Sequence, residues 1–219
     1  MRLSNVVVAI DGPAGAGKST LARRLAAALD LPYVNTGAMY RAATLAALRA
    51  GVDLDDGERL SHVASRLRFE LSSMGSPRTL LIDGHEPGAE LSGPDVERSV
   101  SRVASHPAVR EVLRDEQRRL GRHGAVMEGR DIGSVVFPDA AVKIFLVAPR
   151  DERVARRAHE RGDDTTGDVA VALGARDALD ERVNPFVPPA DAVRIDTGGR
   201  DADEVLQDAL RVVASSIGG

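Results

Sequence analysis

Residues 5–20 read NVVVAIDGPAGAGKST, and LARRLAAALD follows at 21–30. The run at 5–10 is apolar without alternation, the pattern of a strand buried on both faces of a parallel sheet. Gly12, four residues, then Gly17-Lys18-Ser19 match the phosphate-loop pattern, with Thr20 next. Glycines let such a loop curl until successive N–H groups point at a phosphate. Its lysine reaches the outer phosphate oxygens and its serine hydroxyl ligates Mg²⁺. A turn that is merely glycine-rich has no need of strand, loop, lysine and helix in this order. The stretch predicts an α/β protein that grips a nucleoside triphosphate with Gly12, Pro13, Ala14, Gly15, Ala16, Gly17, Lys18, Ser19 and Thr20, Ser19 being the metal ligand.

Outward from the loop, a helix is predicted from Lys18 to about Leu29, then a short strand YVN at 33–35. TGAMYRAATLAALRAG reads as a helix with Thr36 near its N-cap and Gly51 at its C-cap. From about residue 62 the character changes. LRFELSS and RTLLIDG flank MGSP, a hairpin signal, so 63–95 is predicted to be an antiparallel insert. Two helices follow with a break at His106-Pro107, then buried strands in GAVMEGRDIG and AVKIFLVA. A charged helical stretch, a last strand in AVRIDTGG and an amphipathic helix in DADEVLQDALRVVASSI complete the chain. Strand and helix alternate around one central parallel sheet. The expected organisation is a core of residues 1–62 and 96–219, a helical lid at about 150–182, and the insert at 63–95.

The chain has 219 residues, enough for one sizeable core, with 43% hydrophobic and 28% charged residues. Its net charge of −4 argues against a general nucleic-acid coat, and 3% aromatics leave few stacking platforms. No stretch approaches the roughly 20 apolar residues of a membrane span. There are no cysteines and no signal-peptide core at the N-terminus, so a cytoplasmic protein is expected. Among the 29 basic residues only Lys18 and Lys143 are lysines.

Three uses of a held triphosphate compete. A guanine-nucleotide switch would carry an Asn/Thr-Lys-x-Asp reader downstream, and the one later lysine sits in AVKIF. A motor would be longer, although Glu128 in AVMEG loosely matches its acidic strand end. A small-molecule kinase needs an acceptor pocket and arginines to close over the transferring phosphate. DERVARRAHERG provides Arg153, Arg156, Arg157 and Arg161, spaced to align on one helix face, with Glu160 beside them. Three other stretches are unusual for simple scaffold: NTGAMYR (35–41) at a helix start, EGRDIG (128–133) at a strand end, and ARDALDER (175–182), with Arg176 and Asp180 four apart on one helix face. Each alone could be a cap or a surface ion pair.

IDGPAGAGKST, NTGAMYRA, GRDIGSVVFPDAAVKIFL and RDALD together resemble the motifs of the bacterial cytidylate kinases, over nearly the whole chain. The most specific string is GRDIGSVVFPDA. The resemblance implies a three-layer phosphate-loop kinase core, the 63–95 segment enlarging the monophosphate side, and transfer from ATP with Mg²⁺ to CMP or dCMP. It implies that Thr36 and Tyr40 border the monophosphate pocket and that Arg41, Arg130 and Arg176 hold its phosphate. Ser101, Arg110 and Asp131 would face the base and Asp180 the ribose. Arg182 lies two residues past Asp180 where the family tends to place an arginine three past, and the lid segment is shorter than usual. Lys18, Arg153 and Arg157 are the expected catalytic cations. The expected partners are small nucleotides, with neither nucleic acid nor membrane, and the expected state is a monomer. The rivals are a kinase for uridylate, adenylate or a non-nucleotide alcohol, and a non-catalytic nucleotide sensor.

Overall fold

The computed structural model describes residues 5–161, the single positions 170, 174 and 178, and residues 187–218. The elements run β1 (Val7–Asp11), α1 (Lys18–Leu29), β2 (Tyr33–Asn35), α2 (Thr36–Arg49) and α3 (Gly57–Ser65). The hairpin β3 (Phe69–Leu71) and β4 (Leu80–Ile82) precedes α4 (Pro94–Ser105), α5 (Pro107–Gly121) and β5 (Ala125–Glu128). β6 (Val142–Val147), α6 (Arg150–Arg161), β7 (Val193–Asp196) and α7 (Ala202–Ile217) follow.

Every residue of β1 is buried, as its unbroken apolar run requires of a strand covered on both faces. β1 sits at the centre of a parallel sheet ordered β2-β5-β1-β6-β7. Successive side chains leave a strand on opposite faces, and the two cores divide accordingly. Val8 and Ile10 pack with Leu21, Leu25 and Ala26 of α1 and with Val205, Ala209 and Val213 of α7. Ala9, Val34 and Met127 point the other way, into a cluster with α2, α3 and α5. The fold is therefore a three-layer α/β sandwich, as expected. Among the described residues no helix is long and apolar enough to cross a membrane.

α1 and β2 have the predicted bounds. The start of α2 differs slightly: Asn35 is the N-cap, its side chain accepting from the Ala38 N–H at 2.9 Å, and Thr36 is the first helical residue. Ala50 is the C-cap and Gly51, at φ +62°, lies just beyond it. α3 is an addition to the sequence reading; Asp56 caps it, and Leu60 and Ala64 are its buried residues. The hairpin pairs Phe69 with Ile82 and Leu71 with Leu80, and Phe69 and Leu80 enter the same apolar cluster as α2. The break at His106-Pro107 separates α4 from α5 as read.

Candidate active site

The carboxyl ends of β1, β2 and β5 open into one cleft, where α/β sheets bind ligands. Its first wall is the loop between β1 and α1. Gly12 adopts φ +144°, and a Cβ there would collide with the Leu146 carbonyl of β6. Gly15, at φ +75°, would bring a Cβ to 2.7 Å from the Arg153 carbonyl of α6. The loop is thus wedged between two elements at positions only glycine can fill. Lys18 Nζ donates to the Pro13 carbonyl at 2.7 Å, bridging the base of the curl. Gly17, at φ +87°, hands the chain to α1, whose N-terminus points into the cleft.

Ser19 and Thr20, both exposed at the mouth, line the cleft with Lys18. Ser19 Oγ donates to Glu128 Oε2 at 2.9 Å. Glu128 is 3% exposed at the end of β5, and its other carboxylate oxygen accepts from the Tyr33 hydroxyl at 2.5 Å. Burial, reinforced by the Glu128 charge, raises the Tyr33 phenol well above its ordinary range, so Tyr33 remains the donor. The Glu128 carbonyl accepts from Thr36 Oγ1 at 2.7 Å, tying β5 to the start of α2. In the sequence Glu128 bears only a loose likeness to a motor's acidic strand end. The signal for it was an acid ending the strand beside β1, invisible until the strand order was known.

Beyond Glu128 the chain makes the turn that carries Arg130 and Asp131. Arg130 Nη1 donates to the Gly12 carbonyl at 2.6 Å, joining this turn to the phosphate loop. Asp131, 6% exposed, accepts on Oδ2 from Arg110 at 2.8 Å and from Arg114 at 2.7 Å. Behind them Asp11, ending β1, accepts from the Ile132 and Gly133 N–H groups at 2.9 and 2.8 Å. Burial pushes its carboxyl up to about 6 despite those two bonds.

The remaining wall comes from α2, α4 and α5. Tyr40, Arg41, Ser101 and Arg110 line it. Burial, then the Asp131 charge, pushes the Tyr40 phenol up to about 12, so it stays a neutral hydroxyl at ordinary pH. Desolvation lowers the affinity of Arg41 for its proton and Glu97 opposes that effect; among the described residues Arg41 Nε finds no hydrogen-bond partner.

The arginines of α6 share one helix, and Arg153, Arg156 and Arg157 reach separate partners. Arg153, 9% exposed, turns into the phosphate loop and donates to the Ala14 carbonyl at 3.1 Å. Arg156 binds the Thr197 carbonyl at 2.6 Å, next to β7. Arg157 lines the cleft and pairs with Glu97 of α4 at 2.9 Å. Among the described residues Arg153 bonds the phosphate loop, Arg156 the residue after β7 and Arg157 the α4 carboxylate. The side chain of Arg161, together with Arg176, Asp180 and Arg182 and most of the segment expected to form the lid, lies outside the described residues.

The cleft therefore joins a phosphate loop to a second, arginine-rich chamber ending in a doubly paired carboxylate. The family model described as cytidylate kinase matches residues 8–215. A cytidylate kinase from Rhodococcus jostii is 44% identical over 227 residues, covering 100% of this chain and 99% of that protein. One from Anoxybacillus flavithermus is 42% identical, covering 98% of each. A solved protein from Thermus thermophilus aligns over 98% of both chains with a TM-score of 0.50 at 21% identity, a likeness of fold alone. With a family model and full-length relatives agreeing on a chain whose phosphate loop and GRDIGSVVFPDA turn meet in one cleft, the chain belongs to the cytidylate kinase family.

Proposed function

We propose that this protein transfers the γ-phosphate of ATP to CMP or dCMP, giving ADP and CDP or dCDP, as a cytoplasmic, monomeric enzyme of pyrimidine nucleotide metabolism. The observation carrying this reading is that the Arg110–Asp131 pair stands in the same cleft as Lys18 and Ser19. Cytosine offers an N4 amino donor beside the N3 and O2 acceptors. A carboxylate accepts from N4 while a guanidinium and the Ser101 hydroxyl serve the ring acceptors. Uracil would set its O4 acceptor against the Asp131 charge and leave it unpaired. Sites built on such bonds reject the wrong analogue by up to about 10⁴-fold.

On the donor side, Lys18 and the loop N–H groups take the β- and γ-phosphate oxygens, and Arg157 closes on the transferring group. Arg153 acts from behind the loop by fixing the Ala14 carbonyl. On the acceptor side, Arg41, Arg130 and Arg176 hold the monophosphate, Thr36 and Tyr40 border it, Asp180 serves the ribose, and Arg182 serves the ribose or the phosphate. Residues 63–95 enlarge this side, and the 150–182 segment is the lid whose arginines close over the γ-phosphate. The hydroxyl of Ser19 and the carboxylate of Glu128 stand 2.9 Å apart, a pair of hard oxygen ligands that suits Mg²⁺. When bound, that ion neutralises charge on the phosphates. The acceptor is already a phosphate oxygen, so no general base is needed; alignment and cation placement lower the barrier.

ADP release measured with CMP, dCMP, UMP, AMP and shikimate as acceptors tests the reading. Turnover is expected to be fastest with CMP or dCMP. A faster reaction with any other acceptor, or none with all five, overturns it.

A further inference from the structure

α5 grips the turn after β5 with three arginines spaced four apart, one face of a helix. Arg110 and Arg114 both reach Asp131 Oδ2. Arg118 donates to the Val135 and Val136 carbonyls at 3.2 and 3.3 Å. The turn closes on the same residue, the Val135 and Val136 N–H groups donating to the Asp131 carbonyl at 2.9 and 3.1 Å. Asp131 is thereby held by its side chain and its backbone at once.

Two guanidinium groups on one carboxylate oxygen leave an asymmetry. Oδ1 accepts no hydrogen bond among the described residues, whereas Oδ2 accepts two. Arg110 lines the cleft beside Asp131, and Arg114 is not among its lining residues. The Arg114 and Asp131 side chains are 23% and 8% exposed, so their bond is shielded from solvent. A charge-assisted bond in such a place is stronger than a surface ion pair, and losing one partner strands the other.

The geometry points to Arg114 as a positioning residue for base recognition: it holds Asp131 Oδ2 so that Oδ1 is presented to the cytosine amino group. This rests on the reading of Arg110 and Asp131 as the cytosine-contacting pair. Arg110 has to leave Oδ2, wholly or in part, to donate to the ring acceptors. Arg114 keeps the buried carboxylate paired and aimed during that exchange. Without Arg114, Arg110 is retained as the sole cation on Asp131, and the base loses both its aligned acceptor and its donor.

Steady-state kinetics of Arg114→Leu, Arg114→Lys and Asp131→Asn in the full chain, with CMP and UMP as acceptors, test this. Arg114→Leu should raise KM for CMP about tenfold and lower the CMP-over-UMP ratio of kcat/KM about as much, the loss of one charge-assisted bond. Its kcat and its KM for ATP should stay within about twofold of wild type, as expected when binding of one substrate alone is impaired. Arg114→Lys, which keeps a cation on Oδ2, should recover part of both losses. An unchanged ratio in Arg114→Leu, or a parallel loss against ATP, overturns the assignment. If Asp131→Asn collapses the ratio while Arg114→Leu leaves it intact, this inference alone fails. If neither variant changes the ratio, the base-reading assignment fails with it.

Discussion

Asp11 shows how a single residue couples the sheet to the site. It ends β1 immediately before the phosphate loop and binds the backbone of the turn that carries Asp131. Its burial raises the folded-state carboxyl from 3.8 to about 6, desolvation outweighing the two N–H bonds. The folded chain therefore binds this proton more tightly than the unfolded chain does. The resulting stabilisation is fully present below the unfolded value near 3.8 and is lost as pH rises through about 6. The shift corresponds to about 3 kcal/mol at full ionisation. Asp11→Asn removes this dependence. Urea unfolding of both proteins at pH 4 and pH 7.5 should show the stability difference moving in favour of Asn by a few kcal/mol, about the size of the shift, as pH rises. A difference that does not vary with pH would mean that Asp11 titrates alike in both states.

Among the elements, those decided by local pattern were legible in the chain and those decided by neighbours were not. α1 was readable because Gly17, Lys18 and the Leu21, Leu25 spacing all lie within one window. The α4–α5 break was readable because proline at 107 starts a helix more easily than it continues one. α3 was missed because its nine residues carry just two buried side chains, too few to stand out as a helical period. At the site, Lys18, Arg41 and Asp131 announced themselves through motifs. Glu128, Tyr33 and Arg114 did not, since their partners arrive from strands and helices far along the chain. α7 carries its own local signal: the Asp201 carboxylate accepts from the Asp203 and Glu204 N–H groups, and the Asp201 N–H donates to the Glu204 carboxylate. Asp201→Ala should cost about 1 kcal/mol of stability, read as a lower urea midpoint, with kcat unchanged. A fall in kcat would show that α7, on the face served by α1, influences the loop.

For the whole molecule, the order β2-β5-β1-β6-β7 is what brings the two halves of the site together. β1 delivers the phosphate loop, and its neighbour β5 delivers Glu128, Arg130 and Asp131 to the same edge. α2 and α4 close one side with Arg41 and Ser101, and α6 brings Arg157 from the other. A grip on triphosphate alone would be served by β1 and α1, and the rest of the cleft would be surplus. What the second chamber does is decided by where the γ-phosphate goes. Incubation with ATP labelled at the γ-phosphate, Mg²⁺ and CMP, with separation of the products, measures this directly. The label is expected at the β-position of CDP, with one CDP formed for each ADP. Label released as inorganic phosphate, or retained in ATP, would show that the cleft does not phosphorylate CMP.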